Sequence, residues 1–424
     1  MSCVIAGGGP AGAMLALLLA RTGVEVTLLE KHADFLRDFR GDTIHPSTLQ
    51  VLDELGLAGR FLALPHRKAH ELSVVTDSGP IRLASLRGLP GRYDYIAFVP
   101  QWDFLDLITS EAARYPNFRL LMRAEAYDLI REGGAVRGLR YRDPSGEHEV
   151  RAALTVAADG RGSVLRGRAG LAPQELGAPM DVLWFRVPRE ESDPDQPFLR
   201  VSSGHVVVAI NRETYWQLAY VIRKGGYEEL AGRGIEALRE PVARMLPFAA
   251  GRLGVIGGFD DVSMLTVRLN RLRRWHRPGF LCIGDAAHAM SPVFGVGINL
   301  AVQDAVATAG LLAGALRSPG RGPVPEAALR RVQRRRMPPT LVTQAVQRLV
   351  QNQLIKPALT RKFGPPRVRP DLARVPVLNR LVRRFVGLGV RPEHVRATPI
   401  LTPSSHNVDT AVGGEDPVEY PRMS

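Results

Sequence analysis

The feature that most constrains this chain is its first thirty residues. Cys3–Ala6 is a short apolar run, followed by Gly7, Gly8, Gly9, Pro10, Ala11 and Gly12. Ala13–Arg21 reads as a helix closed by Gly23, and a second apolar run, Val24–Leu29, ends at Glu30. Strand, G-x-G-x-x-G, helix, strand and acid is the dinucleotide fingerprint in its required context. Gly7 permits a tight turn, Gly9 lets backbone approach a pyrophosphate, and Gly12 lets the helix pack against the sheet. The helix start offers unpaired N–H groups and the positive end of a dipole to phosphates. Glu30, eighteen residues after Gly12, stands where a carboxylate accepts from an adenosine ribose and repels a 2′-phosphate. The alternative is a glycine-rich turn in another α/β protein, and the unit alone does not choose between FAD and NAD.

The 424 residues suggest two or three folding units. Hydrophobic residues at 45% and charged residues at 23% exclude disorder of the whole chain. Only Cys3 and Cys282 occur, so no disulfide framework exists, and no Cys/His cluster has zinc spacing. No run reaches the ~20 apolar residues of a membrane span, Ala13–Ala20 being the longest candidate, and it lacks a basic leader. A cytoplasmic setting is expected. The net charge of +14 is concentrated: Arg317–Arg396 holds 19 Lys+Arg against 3 Asp+Glu, so the rest of the chain is slightly acidic.

Two later segments repeat the pattern of strand, glycine and acid. In Phe280–Leu300 an apolar strand runs into Gly284-Asp285, then a loop with Pro292, Phe294, Gly295 and Gly297, then a helix starting near Ile298 and Asn299. Asp285 at a strand end can hold a polyol hydroxyl. Gly295 and Gly297 remove side chains where a flat ring would lie on backbone, and the helix start suits the negative charge of a reduced flavin. A strand-to-helix turn capped by Asp285 is the plainer alternative. In Leu154–Arg166 a strand precedes Asp159-Gly160, with Ser163 as a cap.

Taken together, the G-x-G-x-x-G, Asp-Gly and Gly-Asp segments resemble those of the class A FAD-dependent monooxygenases, the para-hydroxybenzoate hydroxylase-like family, over about residues 1–350. The resemblance implies an α/β fold: a GxGxxG Rossmann-like FAD-binding domain (1–71, 98–176, 268–335) with an inserted β-sheet substrate domain (72–97, 177–267). A basic helical C-terminal region (336–401) and a mobile tail (402–424) would follow. It implies bound FAD, held by Gly7, Gly9, Pro10, Ala11, Gly12, Glu30 and Lys31, with Arg40 and Gln101 near the flavin. Asp159 would support FAD and NAD(P)H handling, Gly284 and Asp285 the ribityl chain, and Pro292, Gly295, Gly297, Ile298 and Asn299 the isoalloxazine ring. NAD(P)H would be a transient reductant, and a flavin C4a-hydroperoxide would transfer one oxygen atom of O2 to an aromatic or lipophilic small molecule. Phe294 departs from the family, whose close relatives often carry glycine there.

The intervening residues read as strands at Asp181–Val187, Val201–Ile210, Tyr215–Ile222 and Asp261–Arg268, with a turn at Asn211–Thr214 and an earlier excursion at Leu72–Tyr95. Trp184, Tyr215, Trp216 and Tyr220 could stack on a substrate ring or pack within the sheet, and Arg186 could anchor a substrate or stay solvated. His288 is expected to be structural, since this chemistry needs no protein nucleophile.

In the basic segment, Leu341–Leu354 reads as a helix with Leu341, Val342, Ala345, Val346, Leu349, Val350 and Leu354 inward and Gln344, Gln347, Arg348 and Gln351 outward. Val377–Val386 repeats the design, with Val377, Leu378, Leu381, Val382, Phe385 and Val386 inward and Arg380, Arg383 and Arg384 outward. Such helices dock on the FAD domain or lie on an anionic membrane surface, with peripheral contact through 340–396 at the inner face of the membrane. No nucleic-acid module is recognisable. The rival functions are a flavin-dependent reductase or dehydrogenase of a lipid or isoprenoid, a flavin halogenase (whose WxWxIP signature is not seen), and a non-catalytic basic membrane-binding protein.

Overall fold

The computed structural model describes residues 2–36, 43–202, 204–317, 322–360, 376–395 and 401. Arg40 and the 402–424 tail lie outside them, as does the side chain of Leu378. The first sheet contains β1 (Ser2–Ala6), β2 (Glu25–Leu29), β3 (Phe118–Leu121), β4 (Leu154–Ala157), β5 (His276–Arg277) and β6 (Phe280–Cys282), in the order β5-β6-β4-β1-β2-β3. All neighbours are parallel except the β5–β6 pair. Consequently β1, β4 and β6, the three strands that precede the glycine–acid turns, lie side by side and end at one edge.

Helix α1 (Pro10–Arg21) is apolar all round because it is enclosed, with every residue from Ala11 to Ala20 buried. It packs against α2 (Gln101–Ala113) on one side and α3 (Gly297–Arg317) on the other. Helix α3 is long and apolar enough to cross a membrane by length and composition, but 83% of that window is buried inside the protein. It, and not Ala13–Ala20, is the longest such candidate. Asn299, Gln303 and Asp304 interrupt its apolar run, which hides it from a search for uninterrupted stretches.

The second sheet has seven strands: Ser263–Leu265, Met180–Pro188, Tyr215–Arg223, His205–Asn211, Phe198–Ser202, Glu71–Thr76 and Gly79–Ser85, in that order. The early excursion therefore joins the later strands through one parallel pair, Leu199 opposite Val74. The expected strand Val201–Ile210 is two strands, since the chain reverses between Ser202 and His205, which face each other. The strand expected at Asp261–Arg268 is confined to Ser263–Leu265, because Phe259–Asp261 forms a 3-10 turn.

The alternation in Met180–Pro188 sorts as expected. Leu183, Phe185 and Val187 join one apolar cluster, and Val182 and Trp184 join another on the opposite face.

Helix α4 (Glu326–Val350) is turned the other way from the sequence expectation. Thr340, Thr343, Gln344 and Gln347 are buried, whereas Leu341, Val342 and Leu349 are exposed. Gln351, just beyond the helix, is buried too, and Leu354 is exposed. The reason is hydrogen bonding: the glutamines meet the Asn270 carbonyl at a strand end and the backbone of the Ser291–Val293 loop, and buried backbone groups must be paired. In α5 (Pro376–Leu388) the expected inward face is only partly so: Val386 is buried and Val382 and Phe385 half-buried, but Val377 and Leu381 are exposed. Arg383, expected outward, is half-buried and donates to the Arg87 carbonyl at 2.9 Å.

Candidate functional site

The three turns form one continuous wall. Gly7 leaves β1 at φ 103°, and a Cβ there would lie 2.4 Å from the Ala158 carbonyl oxygen, in the turn after β4. A Cβ on Gly284, after β6, would come within 2.9 Å of the Ala11 Cβ at the start of α1. A Cβ on Gly12 would fall 1.9 Å from the Gly7 oxygen. These glycines are required by the packing of the turns on one another. Gly9 differs, because a Cβ there meets nothing within 4 Å. It caps α1 without a side-chain hydrogen bond, so the N–H groups of the first turn face open space.

Glu30, at the end of β2, is buried and folds back toward the glycines. Its Oε2 accepts from the Gly8 N–H at 3.0 Å and its Oε1 from the His32 N–H at 3.0 Å. A carboxylate oxygen can accept more than one hydrogen bond. Lys31 beside it is exposed.

Asp159 follows β4. Its Oδ2 accepts from the Leu165 N–H at 3.3 Å, while its Oδ1 is buried with no hydrogen-bond partner among the described residues. Burial raises its carboxyl above the ordinary range, against hydrogen bonds from Ser163 and Leu165. An orphaned acceptor of this kind fits a hydroxyl-bearing cofactor. Asp285 pairs with Arg161 at 3.3 Å. Arg161 belongs to the Asp-Gly segment but was not anticipated as a partner. Arg166, also unanticipated, ties the two turns together by donating to the Ala286 carbonyl at 3.0 Å and to that of Arg161 at 3.0 Å.

The loop from Pro292 to Gly297 closes the far end. Thr43 donates to the Gly295 carbonyl at 2.8 Å, and a Cβ on Gly295 would strike the Thr43 hydroxyl. Asn299 accepts from the His45 N–H at 2.9 Å and the Thr48 hydroxyl at 2.7 Å, and donates to the Thr43 carbonyl at 3.2 Å. Its side chain thus fastens two loops together. Phe294 sits at φ 68°, a conformation natural to glycine, and its ring packs edge-on against Phe385 of α5, 6.0 Å away. Gln101 begins α2 directly after the strand Ile96–Phe98, whose Phe98 pairs with Thr43, so it stands at the same end of the trough.

Three α4-side glutamines hold the approach to this loop. Gln344 donates to the Asn270 carbonyl at 2.8 Å, and Gln351 to the Ser291 hydroxyl at 2.7 Å. Gln347 bonds Ser291 in both directions, at 3.2 and 2.9 Å, and the Val293 carbonyl at 3.1 Å. The spacing 344, 347, 351 of one helix face was the available signal; its polarity pointed it outward.

The substrate-sheet candidates separate by face. Trp184 shares a cluster with Val293, adjoining the glycine loop. Arg186 is exposed on that same face, its guanidinium 5.2 Å from the centre of the Tyr215 ring. Trp216 and Tyr220 belong to the opposite cluster, where Trp216 is fully buried and donates to Asp193 at 2.8 Å and Tyr220 contacts His205 at 2.6 Å. Neither can stack on a ligand in the trough. The register accounts for this: Trp216 pairs with Val187, on the face of Leu183 and Phe185.

His288 lies beneath the loop. Its Nε2 is 2.6 Å from Asp304, which also accepts from the Gly284 N–H at 3.1 Å and Arg336 at 2.9 Å. Burial would raise the Asp304 carboxyl, but His288 and Arg336 outweigh it and hold it below the usual range. Among the described residues no cluster of acids, histidines and cysteines could hold a metal ion.

A row of glycine turns at the ends of three adjacent parallel strands, with Glu30, Asp159 and Asp285 following β2, β4 and β6 and a helix start without a side-chain cap at its head, has the form of a dinucleotide cradle. Residues 1–342 match the family model described as an FAD binding domain. The chain belongs to that family, the class A FAD-dependent monooxygenases, and is an FAD-dependent oxidoreductase that uses NAD(P)H as reductant. It is 33% identical over 387 residues to the 6-methylpretetramide 4-monooxygenase of Streptomyces rimosus, across 90% of this chain and 91% of that one. The anhydrotetracycline hydroxylase OxyS of Streptomyces rimosus superposes with a TM-score of 0.73 at 25% identity, over 92% of this chain and 76% of that one. PqsL of P. aeruginosa, solved with 2-aminobenzoylacetate, shares the fold at TM-score 0.73 and 23% identity, over 85% of this chain and 97% of that one.

Proposed function

We propose that this monooxygenase hydroxylates a multi-ring aromatic polyketide. The observation that carries the reading is the continuous wall from Gly12 through Asp159 to Gly295, roofed by the Trp184 face of the second sheet. The polyketide assignment is supported by the relatives, named for 6-methylpretetramide and anhydrotetracycline.

When bound, FAD supplies the oxygen-activating redox chemistry. The chain's own residues bind and orient. The α1 start, with Gly9, Pro10 and Ala11, takes the pyrophosphate, and Glu30 and Lys31 the adenosine end. Asp159 and Asp285 take hydroxyls, and Gly295–Asn299 present backbone to the ring. Trp184, Arg186, Tyr215, Pro292 and Phe294 border the substrate, and the apolar sheet face keeps water out. The division into an FAD-binding unit (1–71, 98–176, 268–335), a substrate unit (72–97, 177–267) and a C-terminal unit belongs to the same proposal.

The test is turnover of FAD-loaded protein with NAD(P)H under labelled O2 and a panel of polycyclic phenols and naphthacenes. Accelerated NAD(P)H oxidation with one labelled oxygen in the product supports the assignment. A product that gains hydrogen without labelled oxygen supports the reductase reading.

A second reading concerns location. The enzyme works in the cytoplasm and touches an anionic membrane through 340–396. Exposed Leu341, Val342, Leu349, Val377 and Leu381 beside exposed Arg348 and Arg380 favour this contact. Co-sedimentation with anionic vesicles, reduced by Arg380→Glu with Arg348→Glu, is expected; wild-type protein that stays in the supernatant would count against it.

A further inference from the structure

A second cleft lies away from the trough, between the middle of α3, the first turns of α4 and the segment Arg391–His394. Its volume is about 320 Å3, at the lower end of the ~300–1,000 Å3 typical of small-molecule pockets. Val306, Ala307 and Leu311 of α3 form an apolar floor, and Arg331, Arg334, Arg335 and Arg391 line the sides.

The charge in this cleft is uncompensated. Glu393 is the carboxylate of the lining, and it is already shared by Arg335 at 2.7 Å and the buried Arg336 at 3.3 Å. No ion pair joins Arg331, Arg334 or Arg391 to an acid among the described residues. Arg331 stands three and four residues before Arg334 and Arg335, so their repulsion weakens the helix that carries them. A concave site walled by one sign of charge concentrates the field and draws counter-ions.

The walls are fixed. Arg335 is held by both oxygens of Glu393, at 2.7 and 3.0 Å. The Arg391 carbonyl accepts from Arg336 at 3.2 Å, and Glu54 receives the Val395 N–H at 2.7 Å and contacts His394 at 2.6 Å.

We propose that this cleft binds a phosphorylated small molecule, its phosphates held by Arg331, Arg334 and Arg391 and its less polar part laid on the α3 floor. Guanidinium forks match phosphate oxygens two at a time, which suits several phosphate oxygens close together. The ligand chemistry is a phosphate or pyrophosphate ester with an attached organic group, either a nucleotide or a phosphopantetheine-type coenzyme.

Titration calorimetry on the FAD-loaded protein tests this, with inorganic pyrophosphate, ADP and coenzyme A as probes and potassium sulfate at matched ionic strength as the control. ADP or coenzyme A is expected to bind at least tenfold more tightly than pyrophosphate, and the preferred one tells the two sources apart. Arg331→Glu with Arg334→Glu is expected to weaken binding at least tenfold while flavin content stays as in wild type and the melting temperature does not fall. Arg334→Lys, which keeps the charge and loses the fork, is expected to fall between wild type and the double variant. Arg391→Glu, outside the helix, provides the same comparison should the double variant fold poorly. Absence of heat with every probe at millimolar concentration, affinities no better than sulfate, equal binding of pyrophosphate and the esters, or binding untouched by charge reversal would each overturn the proposal. Turnover is not measured, so its outcome is independent of the monooxygenase reading.

Discussion

Gly9 and Gly12 are three residues apart and should fail differently when a methyl group is added. At Gly12 the Cβ would sit 1.9 Å from a backbone oxygen, so α1 must move off β1. At Gly9 the Cβ projects into open space at an ordinary φ of −69°, so the apoprotein has no reason to change. Gly12→Ala should therefore lower both the melting temperature and flavin content. Gly9→Ala should leave the apoprotein melting temperature within a degree or two and weaken FAD binding on the order of tenfold or more, about 1.4 kcal/mol. Flavin titration of refolded apoprotein reads the difference, and equal flavin affinity in Gly9→Ala and wild type would displace the pyrophosphate from that turn.

His45 supplies a pH dependence. Its Nδ1 is 2.8 Å from the Val386 carbonyl, so that nitrogen carries the proton, and its Nε2 is buried without a partner among the described residues. Burial, only partly opposed by that hydrogen bond, brings the imidazole down to about 4 from an ordinary 6.5. The folded protein thus refuses a proton that the unfolded chain accepts. Stability is full above pH 6.5 and falls as the pH drops toward 4, by about 3 kcal/mol over that window. Urea titrations at pH 7 and pH 4.5 should show the loss, and His45→Gln should remove most of this slope. Because His45 adjoins Asn299 and α5, the loop from Pro292 to Gly297 should loosen first.

At the scale of elements, α4 gives the sharpest contrast between sequence and structure. Its amphipathic pattern is real, and the polar side is the buried one. Gln347→Leu adds apolar surface to a buried position yet leaves the Ser291 N–H and the Ser291 and Val293 carbonyls without a partner. With three groups stranded at ~1–3 kcal/mol each, partly offset by the added apolar burial, a loss of at least about 3 kcal/mol is expected, with weaker flavin retention. Leu349→Glu, on the apolar side and 60% exposed, should change stability by less than about 0.5 kcal/mol. Denaturant titration of both variants decides which face supports the fold. A hydrophobic pattern reports which side chains are apolar, but not whether the neighbouring surface is apolar or a loop in need of donors. The two Asp/Gly turns and Glu30 were legible because a strand, a tight turn and a helix each leave a local signature. The same logic failed at Trp216, where alternation separated the faces correctly without saying which one meets the trough.

Across the whole molecule, the cofactor wall is tied to distant segments by charge. Asp304 on α3 binds the Gly284 N–H and His288 of the Gly-Asp turn, and it binds Arg336 on α4. Arg336 reaches Glu393 near the end of the described chain, and the Glu393 N–H in turn meets Gln303. No sequence pattern announces this set, because its members lie 32 and 57 residues apart, and Arg336 and Glu393 look like ordinary charges in a basic stretch. All three central groups are buried, Arg336 at 1% exposure. Breaking a buried ion network by removing one partner strands the others, typically at ~3–5 kcal/mol. Arg336→Met should therefore cost toward the lower end of that range, since Asp304 loses its guanidinium and keeps only His288, while Glu393 keeps Arg335. Glu393→Gln should cost less, because Arg336 keeps Asp304 and the amide still accepts a hydrogen bond. If Asp304 holds the Gly-Asp turn in place, FAD retention after dialysis should fall in the same order: wild type, Glu393→Gln, Arg336→Met. Equal stability of Arg336→Met and wild type would show that the turn is held by the glycine packing alone, and that the basic C-terminal segment is attached to the cofactor wall without steadying it.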